Sequence, residues 1–262
     1  MPYLNYNGIK VYYRRLGVKT DLPPLILIHG AFANHLAWYS QIKFFSKLTE
    51  ILVFDLPGHG KSDNPSIEYT PQFFGKIVKR LIEEENIRSP ILAGHSLGGV
   101  IAQTAALMYP ELIEKLVLLC TGVILSYGIK IWVPTPVKSV LGKIFSLFSW
   151  NLFCTLLSKL TAKHEIPGLE GVRLEARMAA SCSGRAFLNI IGNLLTYDLS
   201  ETVKSIKMPI LFVTGTKDLF HNQAKIYKRF PNAIVKIVEG GKHILQLLNE
   251  EPNQWMLEFI KN

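Results

Sequence analysis

Short apolar runs punctuate this chain: Leu25-Ile26-Leu27-Ile28, Ile51-Leu52-Val53-Phe54, Ile91-Leu92-Ala93, Leu116-Val117-Leu118-Leu119, Ile210-Leu211-Phe212-Val213 and Ile234-Val235-Lys236-Ile237-Val238. Longer stretches of helical character separate them, which predicts crossover units around a mostly parallel sheet. Most of the runs carry no polar residue, as expected of strands covered by helices on both faces. Ahead of them, residues 3–6, Asn7-Gly8 and residues 9–15 read as a hairpin with a tight turn, which adds antiparallel strands. The expected fold class is therefore α/β, with a central, mostly parallel sheet and helices on both of its faces.

The rhythm breaks between about Gly122 and Ser200, where the pattern is mostly helical and no run has the usual turn signals of a strand. This reads as a helical cap, residues 122–200, inserted after the fourth parallel strand between two parts of the core, residues 1–121 and 201–262. Pro134 and Pro136 suggest an extended entry to the cap. Residues 144–158, between Lys143 and Lys159, are rich in Leu, Phe and Trp but fall short of the about 20 apolar residues of a membrane-spanning helix. Two readings follow: a cap helix turning its apolar face to a pocket, or an interfacial helix in weak contact with a membrane surface. The pocket is preferred, because a cap needs an apolar face in any case.

Composition narrows the picture. With 262 residues, 48% hydrophobic and 19% charged, the chain suits one large α/β domain and not a disordered protein. Cys120, Cys154 and Cys182 are odd in number and far apart, so they give neither a disulfide framework nor a zinc site, and reduced thiols are expected. No basic segment followed by an apolar one opens the chain, so a cytoplasmic location is expected. The net charge of +9 raises the question of a polyanionic partner, but the lysines are dispersed and no nucleic-acid module appears. No nucleic-acid partner is expected; the charge suits solubility or attraction of anionic substrates and membrane surfaces.

The strongest chemical signal is Gly94-His95-Ser96-Leu97-Gly98-Gly99, directly after an apolar run and before the helical Val100-Ile101-Ala102-Gln103. A G-x-S-x-G match gains meaning from that strand, turn and helix context. A serine on a strained turn needs small residues two positions either side, and its hydroxyl then sits at the positive end of the following helix. A serine hydroxyl also needs a base, and the base needs a third group to orient it. His243 follows the last strand on a loop free to reach the sheet's edge, whereas His29, His35, His59, His164 and His221 lack that late position. His95 adjoins the serine but is expected to point away along the turn. Asp218, just past residues 210–213, gives the chain order Ser, Asp, His. The end of the preceding strand, Cys120-Thr121-Gly122, offers no carboxylate, and Asp198 reads as a cap or loop residue. Donors for a developing oxyanion are expected from the backbone of Leu97 and of the His29-Gly30-Ala31-Phe32 loop, with Ala31 first and Phe32 second.

These residues resemble the α/β-hydrolase superfamily over essentially the whole chain, in particular its compact serine carboxylesterases and related lyases, peroxidases and receptors. The resemblance rests on His29-Gly30, Asp55-Leu56-Pro57-Gly58-His59-Gly60-Lys61-Ser62, the serine motif, Gly215-Thr216-Lys217-Asp218 and Gly241-Lys242-His243. It implies the α/β-hydrolase fold, no metal or organic cofactor, a small-molecule ester substrate and a structural role for the turn that begins at Asp55. A serine at this position argues against haloalkane dehalogenases and epoxide hydrolases, which place an aspartate there. Ester hydrolysis through an acyl-enzyme on Ser96, with apolar acyl or aryl substrates, leads. Perhydrolase, lactonase, thioesterase and carbon–carbon bond hydrolase chemistry on the same triad remain, as does a receptor-like protein with slow hydrolysis.

Overall fold

The computed structural model describes residues 3–123 and 182–262. Eight described strands form one sheet: β1 (Tyr3–Tyr6), β2 (Ile9–Gly17), β3 (Leu25–Ile28), β4 (Glu50–Phe54), β5 (Ile91–His95), β6 (Lys115–Leu119), β7 (Ile210–Gly215) and β8 (Ala233–Val238). Their spatial order is β1-β2-β4-β3-β5-β6-β7-β8. The first two strands run as the expected hairpin, turned by Asn7 and Gly8, both at positive φ, and β2 pairs antiparallel with β4. From β4 to β8 every pairing is parallel.

Alternate residues of the strands feed two separate cores, which explains why the apolar runs are unbroken. Ile26, Ile28, Leu52, Phe54, Leu92, Leu116, Leu118 and Phe212 face α2 (Pro71–Glu84) and α3 (Leu97–Met108). Leu25, Leu27, Ile51, Val53, Ile91, Ala93, Val117, Leu119 and Leu211 face α1 (Tyr39–Phe45) and the C-terminal helix Glu251–Lys261. Lys115 is buried at the start of β6 for a reason of its own: its Nζ donates to the carbonyls of Phe259 and Ile260, where a cation complements the end of a helix. β8 departs from the expected buried run, because it lies at the edge of the sheet and leaves Ile234 half exposed.

Two features position a site. The chain goes from β3 outward to β4 and then crosses back to β5, so the strand order reverses beside β3, the place in open α/β sheets where ligands bind at the carboxyl ends of the strands. Around the expected cap, Leu199 N–H donates to the carbonyl of Val123 at 2.8 Å, so the chain leaves the core and returns to it at one place. Helix α4 (Gly184–Thr196) stands beside that point, its first turn capped by the Ser183 hydroxyl. It is tied to the core by Ser183 N–H to Gly58 O and by Asn189 Oδ1, which accepts from Tyr69 N–H. Residues 124–181 lie outside the described residues. With them fall most of the expected cap, the 144–158 segment, Trp132, Phe145, Phe148, Trp150, Phe153, Cys154 and His164. Among the described residues, no helix is long and apolar enough to cross a membrane.

Candidate active site

Ser96 occupies a sharp turn between β5 and α3, with φ 53° and ψ −117°, a backbone conformation that costs a non-glycine residue on the order of 1–3 kcal/mol. Neighbours hold it there. Ser96 N–H donates to Leu119 O, and its carbonyl accepts from Gly99 N–H at 2.9 Å and the Thr121 hydroxyl at 2.7 Å. The flanking glycines clear the helix against the sheet rather than clearing the serine itself. A Cβ on Gly94 would lie 2.2 Å from Gly98 O, and one on Gly98 would lie 2.0 Å from Ile28 O.

The loops after β7 and β8 bring the other two residues to this turn. Asp218 is buried on the first and His243 lies on the second, and they approach because Gly215 and Gly241 meet backbone to backbone. A Cβ on Gly215 would lie 2.0 Å from Gly241 O, the carbonyl that also accepts from Lys217 N–H. His243 Nε2 stands 3.1 Å from Ser96 Oγ, and Nδ1 stands 2.7 Å from Asp218 Oδ1. The Thr214 hydroxyl donates to the second Asp218 oxygen at 2.9 Å. Burial alone would raise the Asp218 pKa. The hydrogen bond and charge of His243, with the Thr214 hydroxyl, outweigh it and hold the carboxyl below its ordinary value. The structure thus brings Ser96, Asp218 and His243 into one hydrogen-bonded row, with the imidazole placed to accept the serine proton.

His95 differs from expectation. It shares the sheet face of Ile91 and Ala93, by the two-residue period of β5, and that face carries the His243 loop. Its Nε2–H donates to His243 O at 2.7 Å, and the two rings lie 4.9 Å apart. Burial lowers its pKa to about 3, so the ring is neutral. Asp198 is a loop residue, its side chain accepting from Ser200 N–H.

Gly30 places the loop after β3 against the nucleophile: a Cβ there would lie 3.2 Å from Ser96 Cβ. Ala31 follows Gly30 in that loop, and Leu97, the first residue of α3, is among the helix-start residues whose N–H groups lack an intrahelical acceptor. Phe32 is at φ 59°, and its ring packs 3.8 Å, centroid to centroid, from Phe187 of α4. His29 braces the loop. Its Nδ1–H donates to Gly30 O, its Nε2 accepts from Leu56 N–H, and burial lowers its pKa to about 4. Asp55 lies apart from the serine: its carboxylate accepts from the N–H and Nδ1–H of His35 and from Lys61 N–H, fixing the turn it begins.

Sequence spacing gave no hint of one further cluster. Donor atoms of Cys120, Asp218 and His243 lie within 4.8 Å of one another. Burial, then the charge of Asp218, pushes the Cys120 thiol pKa well up. The three residues follow β6, β7 and β8 and come together only when those strands are adjacent.

The family described by the alpha/beta hydrolase fold matches residues 23–250. The chain belongs to that family. A putative esterase/lipase of Haemophilus influenzae is 28% identical to this α/β hydrolase, covering 85% of this chain and 77% of the relative. A putative non-heme chloroperoxidase of Synechocystis is 24% identical and covers 100% of both chains. The solved structure of a hydrolase from Pseudomonas aeruginosa superposes with a TM-score of 0.85 at 20% identity, covering 99% of this chain and 98% of that one. At that identity the likeness supports the fold alone, and the fold hosts many chemistries.

Proposed function

We propose that this α/β hydrolase cleaves carboxylic esters through an acyl-enzyme on Ser96. The observation that carries the reading is the row Ser96 Oγ, His243 Nε2, His243 Nδ1, Asp218 Oδ1, spaced 3.1 and 2.7 Å, with the serine on a strained turn at a helix start. Ser96 Oγ attacks the ester carbonyl as His243 Nε2 takes its proton. The N–H groups of Ala31 and Leu97 hold the oxyanion, and Asp218 keeps the imidazole in the Nδ1–H tautomer and stabilises its cation. His243 returns the proton to the leaving alcohol, then activates water to release the acid. The aromatic rings of Phe32, Phe187 and Phe220, the last 5.5 Å from the His243 ring, suit an apolar acyl or aryl group.

A second reading has one observation in its favour, the full-length likeness to the putative non-heme chloroperoxidase. In it the same acyl-enzyme is intercepted by hydrogen peroxide instead of water and yields a peracid. Intact mass after treatment with a fluorescent phosphonate ester, together with p-nitrophenyl esters of increasing acyl length, tests the first reading. One adduct, on Ser96, and a chain-length optimum are expected. Folded protein that takes up no label would sink it and favour a binding role for the pocket. Peracid-dependent halogenation with acetate and peroxide, faster than ester hydrolysis, would promote the second.

A further inference from the structure

Cys120 directly follows β6 at φ 48°, and its side chain is enclosed between the loops that carry Asp218 and His243; its Sγ contacts Lys242 O, one residue before the histidine. Thiolate, imidazole and carboxylate together are the donor set of Zn2+ and similar borderline-soft divalent ions. We propose that Cys120, Asp218 and His243 form an inhibitory site for such an ion. Binding rests on this geometry alone; inhibition rests in addition on the serine-hydrolase reading.

The distances allow it. Zinc bonds of ~2.0 to 2.3 Å place two ligands of one ion about 3 to 4 Å apart. The three donors already fall within 4.8 Å, and the Asp218–His243 contact of 2.7 Å has to open by a fraction of that span. The movement falls to His243, whose side chain is 27% exposed, while that of Asp218 is fully enclosed. Entry is therefore past the histidine and is slow. The ion takes the Nδ1 lone pair, so the ring proton passes through solvent to Nε2, and the Cys120 thiol gives its proton to solvent, one proton released per ion bound. With Nε2 protonated, the ring donates to Ser96 Oγ and can no longer accept from it. The general base is lost, and the fourth position on the ion is left to water.

Cobalt(II) added to the whole protein reads the site directly, because a thiolate ligand gives an intense near-ultraviolet charge-transfer band. One equivalent of band is expected in the native protein and in Ser96→Ala, displaced by Zn2+ and absent in Cys120→Ser. Zn2+ should inhibit ester hydrolysis with slow onset and full recovery in EDTA. Cys120→Ser should need at least ~10-fold more zinc relative to its own metal-free rate, the loss that even outer partners of metal ligands show. Folded native protein without the band, or a band unchanged in Cys120→Ser, overturns the site. Should that variant fail to fold, His243→Ala must weaken cobalt binding, and an unchanged affinity there overturns it equally. The band is read without turnover, so its absence leaves the hydrolase reading standing, and an inactive protein that shows the band leaves the metal site standing.

Discussion

Among the described residues, two histidine–aspartate pairs share the same geometry. His243 Nδ1 stands 2.7 Å from Asp218 Oδ1, and His35 Nδ1 stands 2.7 Å from Asp55 Oδ1. Both carboxylates are buried, and hydrogen bonds and imidazole charge hold both below their ordinary pKa although burial alone would raise it. The difference lies at the rest of each ring. The His35 side chain is 8% exposed and its ring packs 5.2 Å from that of Tyr12, while that of His243 is 27% exposed and presents Nε2 to Ser96. Asp55 accepts backbone N–H groups from His35 and Lys61, which ties two loops together, while Asp218 accepts from the Thr214 hydroxyl, the imidazole and the Phe220 backbone, all on β7 or the two loops of the row itself. A buried histidine–aspartate pair thus does not by itself mark catalysis. In the proposed reading the distinction rests on the far ring nitrogen and what it faces.

The comparison breaks most sharply on activity. Ser96→Ala or His243→Ala should lower kcat for p-nitrophenyl esters by a factor on the order of 10^6, the loss known for single members of such a row. Asp218→Asn should keep the fold and cost about 10^4 in kcat, because the amide stabilises the wrong tautomer of His243. Steady-state kinetics on protein with a native circular dichroism spectrum checks both. An Asp218→Asn enzyme that turns over normally would remove Asp218 from the row and leave His243 without an orienting group.

How far these distinctions could be read in the sequence depends on what kind of information each needs. The strands were legible because both faces of the sheet are covered, so Leu25 to Ile28 and their equivalents are apolar without alternation. Ser96 and Asp218 were legible because the turn chemistry is local: glycines at 94, 98 and 215 stand where a Cβ would strike backbone within about 2 Å. His243 was legible from its order after the last strand. The contact of His95 with His243 was not legible, since it depends on which sheet face carries the β8 loop, a fact of tertiary packing. The His35–Asp55 pair and the convergence of Cys120 on Asp218 were invisible for the same reason: they join residues whose neighbourhood is set by strand order and not by spacing.

The structural pair should respond in stability where the other responds in rate. His35→Ala leaves the Asp55 carboxylate buried with only its two backbone donors, and breaking such a pair costs about 3 kcal/mol or more. For a chain of this size that amounts to a fall of roughly 6 to 12 °C in Tm. Phosphonate labelling of Ser96 in the folded fraction should persist. A variant with unchanged Tm but no labelling would reverse the assignment of the two pairs.

The smallest effect separates His95 from both pairs, since it is buried with no carboxylate on its ring. Burial drops the folded pKa values of His29, His59 and His95 to about 4, 3 and 3, while the unfolded chain titrates near the ordinary 6.5. Above that value neither state binds these protons and the histidines contribute no pH dependence. Below it the unfolded state takes up protons that the folded state refuses, so stability falls with pH until the folded groups titrate. Each histidine adds at most about 1.4 kcal/mol per pH unit to that slope. The lowered carboxylates of Asp55 and Asp218 begin to lose their contribution only as pH falls below about 3.8, so urea unfolding between pH 6.5 and 4.5 isolates the histidines. His95→Gln retains an N–H donor for His243 O but cannot take a proton, and it should make the slope shallower by about one histidine's share. Equal slopes in the two proteins would mean that the His95 ring titrates normally in the folded state, which would also undo the neutral, Nε2-protonated bridge assigned to it beneath His243.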